Sequence, residues 1–126
     1  MRSASKPISL STLFAALADT TRLRLLNLMA GREVCVCYFV EVLRQSQPKI
    51  SRHLAYLRKA GIVAARREGK WMHYSICPFA DQTTGSILAA VLAELGNDKR
   101  MNADLARLEH ACRGAGNEEL HQIAKG

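Results

Sequence analysis

Cys35 and Cys37, one residue apart in Glu33-Val34-Cys35-Val36-Cys37, are the side chains of this chain best suited to a shared chemical task; Cys77 and Cys112 are its other thiols. The N-terminal MRSASKPIS lacks the apolar core of a signal peptide. No stretch approaches the roughly 18 consecutive apolar residues of a membrane span. The chain is therefore expected to be cytoplasmic, without a membrane partner, and its cysteines to be reduced thiols rather than a disulfide framework. Such thiols are free for soft-metal coordination or for redox chemistry. Enzyme chemistry is not expected: there is no phosphate loop and no nucleophile–base pair, and the four histidines (His53, His73, His110, His121) are scattered. No cofactor is required.

A second chemistry lies in the charge distribution. Residues 44–74 hold eight Lys/Arg (Arg44, Lys49, Arg52, Arg58, Lys59, Arg66, Arg67, Lys70) against Glu68 alone, which accounts for the formal net charge of +7. A basic patch this concentrated points to a polyanionic partner, nucleic acid first.

The elements that must position these residues follow from periodicity and capping. Leu10, Leu13, Phe14 and Leu17 predict a first helix over 8–18, and Asp19 an N-cap for a second, central helix over 20–30 that ends at Gly31. Within it Arg22 and Arg24 are expected to form salt bridges inside the fold. A third helix is expected from Val34 or Cys35 to Leu43, with Val36, Phe39, Val40 and Leu43 as its core stripe. A short polar turn, Arg44 to Gln47, precedes a helix over 46–61, opened by Ser46 and Pro48 and closed by Gly61. There Ile50, Leu54 and Leu57 form the docking stripe, and the opposite side is polar and basic. Gln47, Lys49, Ser51 and Arg52 are candidates for base and phosphate contacts; His53, nearer the stripe, is a weaker one.

Beyond Gly61, strands over 62–67 and 70–76 flank the turn signal Glu68-Gly69, and Arg66, Arg67 and Lys70 crowd the hairpin tip as candidate DNA contacts. A basic hairpin after two closely joined helices makes a winged helix-turn-helix. The expected fold is mostly α with a β-hairpin wing. A helix over 81–95, with Ile87, Leu88, Val91, Leu92 and Leu95, and the first helix carry more apolar surface than one small core needs, which points to a homodimer. A last short helix spans about 101–111. Residues 1–7 are expected to be disordered, 8–96 to form the DNA-binding and dimerisation domain, and 97–126 to be a short helix and flexible tail.

Four segments in order carry a family resemblance: Ala16-Leu17-Ala18-Asp19-Thr20-Thr21-Arg22-Leu23-Arg24-Leu25-Leu26; Glu33 to Cys37; Gln45-Ser46-Gln47-Pro48-Lys49-Ile50-Ser51-Arg52-His53-Leu54; and Gly69-Lys70-Trp71-Met72-His73-Tyr74. Over about residues 10–95 the chain resembles the ArsR/SmtB winged-helix repressors, most closely the arsenic-responsive ArsR branch. The resemblance implies a homodimer that covers double-stranded operator DNA and releases it when arsenite or antimonite binds thiolates. In that branch a Cys-Val-Cys pair at the start of the third helix supplies two ligands, which fall here on Cys35 and Cys37. The third thiolate of the branch falls on Val40, a departure. The zinc site of another branch, built from Asp and His on the late helix, has no His to build it here.

The residues bear on that implication. Thiolate is a soft ligand, and a helix N-terminus favours its ionised form. With Val36 centring the stripe, about 100° of rotation per residue sends the two sulfurs to opposite sides. An ion held by both must then distort the first turn, which leads through Leu43 to the basic helix. A third ligand is open between none, as suits a methylated arsenical, and Cys112, with Cys77 behind both. The alternative on the same frame is a thiol redox or sulfide sensor, although a Cys-x-Cys disulfide is strained.

Overall fold

Short polar side chains start most of the helices. In the computed structural model, which describes residues 7–79 and 81–114, Ser9 caps α1 (Leu10–Leu17) by accepting from the Thr12 N–H. Asp19 caps α2 (Thr20–Met29) through the Arg22 N–H at 3.0 Å. Ser46 caps α4 (Gln47–Lys59) through the Lys49 N–H, with Pro48 in the first turn. Asp81 caps α5 (Gln82–Leu95), and Asp98 accepts from the Met101 N–H at the start of α6 (Lys99–Gly114). Each satisfies a backbone donor that the helix itself cannot.

The remaining elements are β1 (Val34–Cys35), α3 (Val36–Leu43), β2 (Val63–Glu68) and β3 (Trp71–Ile76). The three strands form an antiparallel sheet in the order β1-β3-β2. Glu68 pairs with Trp71, so the hairpin turns on Gly69-Lys70, one residue later than the sequence suggested, with Gly69 at φ +64°. A Cβ is poorly tolerated in that left-handed conformation.

The fold is a winged helix, and the expected stripe of α4 holds: Ile50, Leu54 and Leu57 are each fully buried. At roughly 1.5–3 kcal/mol per buried aliphatic side chain, they seat α4 firmly while its other face stays in water. Every residue from Arg24 to Met29 of α2 is buried, and the helix packs against α1, α4, α5, α6 and β3.

Three expectations change. The third helix starts at Val36, because Val34 and Cys35 are extended and pair with Tyr74 and His73 of the wing. Its core face is Tyr38, Phe39, Val42 and Leu43, whereas Val36 and Val40 are half-buried. The last helix is longer than its apolar pattern suggested and docks on α2 and α3, burying Met101, Asp104 and Leu108. The Arg24 guanidinium meets the fully buried Asp104 carboxylate in a bidentate pair at 2.8 and 2.9 Å. Arg24 thus forms its expected salt bridge, and α6 belongs to the main core. Residues 1–6 and 115–126, which hold most of the expected disordered ends, lie outside the described residues.

Candidate functional site

Cys35 is both the last residue of β1 and the N-cap of α3, with φ −73° and ψ 144°. This backbone corrects the expected divergence of the sulfurs. An extended residue followed by a helical one does not rotate by the helical step, so the Cys37 thiol folds back and donates to Cys35 Sγ at 3.1 Å. The pair is already converged. The thiols are then electrostatically unequal: the Cys37 donor, with the Cys37 and Val36 N–H groups, lowers the Cys35 pKa against the opposing effect of burial. Losing the proton it shares with Cys35, and burial, raise that of Cys37. Of the two, Cys35 is the thiol that ionises first.

A cavity of about 310 Å³ opens beside the pair, lined by Arg32, Glu33, Val34, Cys35, Tyr38, His73, Leu108 and Cys112. Cys112, from α6, is therefore in the same recess as Cys35, within a described helix rather than on a loose tail. The Tyr38 hydroxyl lies among the sulfurs, and burial first, then the neighbouring Cys112 and Cys37, push its pKa up to about 12. Among the described residues no three His, Cys, Asp or Glu side chains already converge on one metal-holding point, so Cys112 stands near the pair without closing a triad. Cys77 is buried after the wing, its N–H bonded to the Ile62 carbonyl at 2.9 Å, and does not line the cavity.

Gln47, Lys49, Ser51 and Arg52 are exposed along the first turns of α4. Among the described residues neither Lys49 nor Arg52 has an acid at ion-pair distance. His53 is turned inward, 3.6 Å from Asp19 and 3.4 Å from Arg22 Nη1. Burial and the Arg22, Lys49 and Arg52 charges lower its pKa, and Asp19 only partly opposes them. Arg22 itself donates to the Ala16 and Ala15 carbonyls that end α1 and lies 4.0 Å over the Tyr56 ring. It braces α4 rather than reaching outward.

The wing divides its cations. Arg67 and Lys70 are exposed, with no acid at ion-pair distance among the described residues. Arg66 is held by Glu33 in a bidentate pair at 2.7 and 3.0 Å and approaches Glu68 at 3.5 Å. Sequence reasoning passed over Glu33 and Tyr38. Glu33 adjoins the Cys-Val-Cys segment, which is a usable signal; Tyr38 reads as one more apolar residue in a short helix and gives none.

The chain is similar to known regulators. The family described as bacterial regulatory protein, arsR family, matches residues 19–65. An arsenic resistance transcriptional regulator of Pseudomonas putida is 44% identical over 96 residues, covering 75% of this chain and 73% of the relative. The arsenical resistance operon repressor of Escherichia coli is 52% identical over 67 residues, covering 52% of this chain and 57% of the relative. Among solved structures, a homodimeric winged helix-turn-helix DNA-binding domain from Mycobacterium bovis superposes with a TM-score of 0.56 at 30% identity, over 67% of this chain and 75% of that one.

Proposed function

Because the chain belongs to the ArsR family of bacterial regulatory proteins, we propose that it covers operator DNA as a homodimer and lets go when trivalent arsenic binds its paired thiols. As a member of that family it is a transcriptional repressor and not an enzyme. Two copies of α4 enter successive major grooves about 34 Å apart. Gln47, Lys49, Ser51 and Arg52 read bases and phosphates, with His53 holding the helix in place from behind. Arg67 and Lys70 of the wing add phosphate contacts, and Arg66, balanced by Glu33, orients the hairpin.

The homodimer rests on apolar surface that the single chain leaves in water. Leu10 and Phe14 of α1 are each 52% exposed. On α5, Ile87, Val91 and Leu92 are only partly covered. Burying these rows against a second copy removes an exposed patch, and the Mycobacterium bovis domain is itself homodimeric.

The observation that carries the inducer reading is the 3.1 Å contact between Cys35 and Cys37. Two soft donors in contact, one of them easily ionised, suit a thiophilic ion such as arsenite or antimonite. In each exchange an As–S bond replaces an As–O bond, and the thiol proton leaves with the hydroxide as water. No electron is transferred. The bound metalloid then lies where β1 pairs with the wing and α3 begins, beside one of the elements that hold DNA and one helix away from the other.

A titration of labelled operator DNA followed by fluorescence anisotropy tests this. Arsenite or antimonite should release the DNA, and indifference to both would refute the inducer reading. The same 3.1 Å contact also favours a second reading, oxidation of the pair by peroxide or polysulfide. Release by those oxidants but not by arsenite would select it.

A further inference from the structure

The proposed inducer has three exchangeable oxygens, and the paired thiols replace only two. A ligand shifts a conformational equilibrium only by its differential affinity for the two states. Cys35 and Cys37 are already in contact at 3.1 Å. Spanning them demands little rearrangement, so binding at the pair alone gives little reason to leave DNA. The differential affinity must come from a group that the resting fold keeps close but unattached.

We infer, building on the metalloid reading above, that Cys112 of α6 supplies the third thiolate, and that drawing it onto the Cys35–Cys37 pair is the movement that loosens the DNA-binding helices. Cys112 lines the same 310 Å³ cavity as Cys35, with Tyr38 and Leu108 between α3 and α6. No metal-holding triad is closed at rest among the described residues. The space lets Cys112 move, and the missing triad requires that it does. The exchange is the same as for the first two sulfurs: the last As–O bond gives way to As–S, and water leaves.

The movement has a path to the DNA face. Arg107, five residues before Cys112 on α6, donates from Nε to the Val42 carbonyl at 3.2 Å and from Nη2 to Asp104 at 2.7 Å. Val42 is in the last turn of α3, two residues before the corner at Arg44, a left-handed residue with φ 56°, that leads into α4. A shift of α6 toward the pair therefore pulls on the end of α3 from which the recognition helix hangs. This replaces the unwinding of the first turn of α3 that diverging sulfurs would have required.

The full chain is alkylated with iodoacetamide in the presence and absence of arsenite, and the modified cysteines are read by mass spectrometry. Arsenite should protect Cys35, Cys37 and Cys112 together. Protection of Cys35 and Cys37 with Cys112 reacting as before overturns the inference and leaves the metalloid reading standing; protection of none overturns both. A methylated arsenical, whose third position is carbon, should protect only the pair and release operator less well than arsenite does. Equal release by the two compounds counts against the inference. In Cys112→Ser the ratio of operator affinities without and with arsenite should fall to near one, losing most of the coupling of about 5- to 150-fold. An unchanged ratio overturns the inference.

Discussion

Cys35 and His73 are antiparallel partners across the sheet. The backbone of Cys35 is thus paired into the strand that forms the wing, and the side chain of nearby Glu33 holds the wing's Arg66 at 2.7 Å. The proposed thiol site and the exposed wing cations share one small sheet, although their side chains emerge at different places on it.

The first prediction concerns the pair. Arsenite should lower operator affinity of the native protein by a factor between about 5 and 150. In Cys35→Ser or Cys37→Ser that factor should fall to near one. Anisotropy titrations read as the ratio of affinities without and with arsenite separate loss of sensing from any loss of DNA binding. Normal release by both variants would sink the ligand assignment.

A second prediction distinguishes the wing cations. Arg67→Ala and Lys70→Ala should each reduce the slope of log affinity against log salt by about one, the signature of a lost phosphate contact. Arg66→Ala should change that slope much less, because Glu33 already balances the guanidinium. Three equal slope changes would show that the Glu33 pair opens on DNA.

Stability should depend on a residue far from either surface. Asp104 is fully buried and carries Arg24 at 2.8 Å and Arg107 at 2.7 Å. Removing it with Asp104→Ala leaves Arg24 buried without its counter-ion, which costs about 3–5 kcal/mol. Urea unfolding measures this directly, and a loss below about 1 kcal/mol would mean that the pair is hydrated in solution.

Acid should act through Asp19. Burial raises its pKa, but the Arg22 N–H and the His53 and Arg22 charges outweigh that, and the net direction is down. A carboxyl lower in the folded than in the unfolded chain adds stability above its unfolded value, about 3.9, and loses it as pH falls through the folded value. Asp19→Asn keeps a capping oxygen but should flatten this acid limb, whereas Asp19→Ala should cost about 1 kcal/mol at neutral pH. Urea midpoints between pH 6 and roughly pH 2, compared across the three proteins, check both. An Asn variant with an unaltered acid limb would remove Asp19 from the account.

The chain declares its helix starts plainly, because Ser46, Asp19 and Asp81 each act within three residues of themselves. The stripe Ile50-Leu54-Leu57 is legible for the same local reason. What escaped was set by distant partners. Val34-Cys35 is too short to show alternation, and within VCVCYFVEVL an apolar run reads equally as helix; only pairing with Tyr74 and His73 makes it extended. That switch, rather than the cysteine spacing, brings the sulfurs together. Cys112 was legible as a candidate third ligand, but its fixed place on a docked helix was hidden, since the polar look of α6 gives no hint that Asp104 is buried.

The Arg24–Asp104 pair also constrains how sequences of this kind change over generations. Losing either member alone strands a buried charge, while replacing both with apolar residues of similar volume is often neutral or favourable. The two positions should therefore be strongly epistatic, with a deep valley between the double-charged and double-apolar solutions. Descendant sequences should carry both charges or neither, and α6 should be inherited together with the central helix it is pinned to.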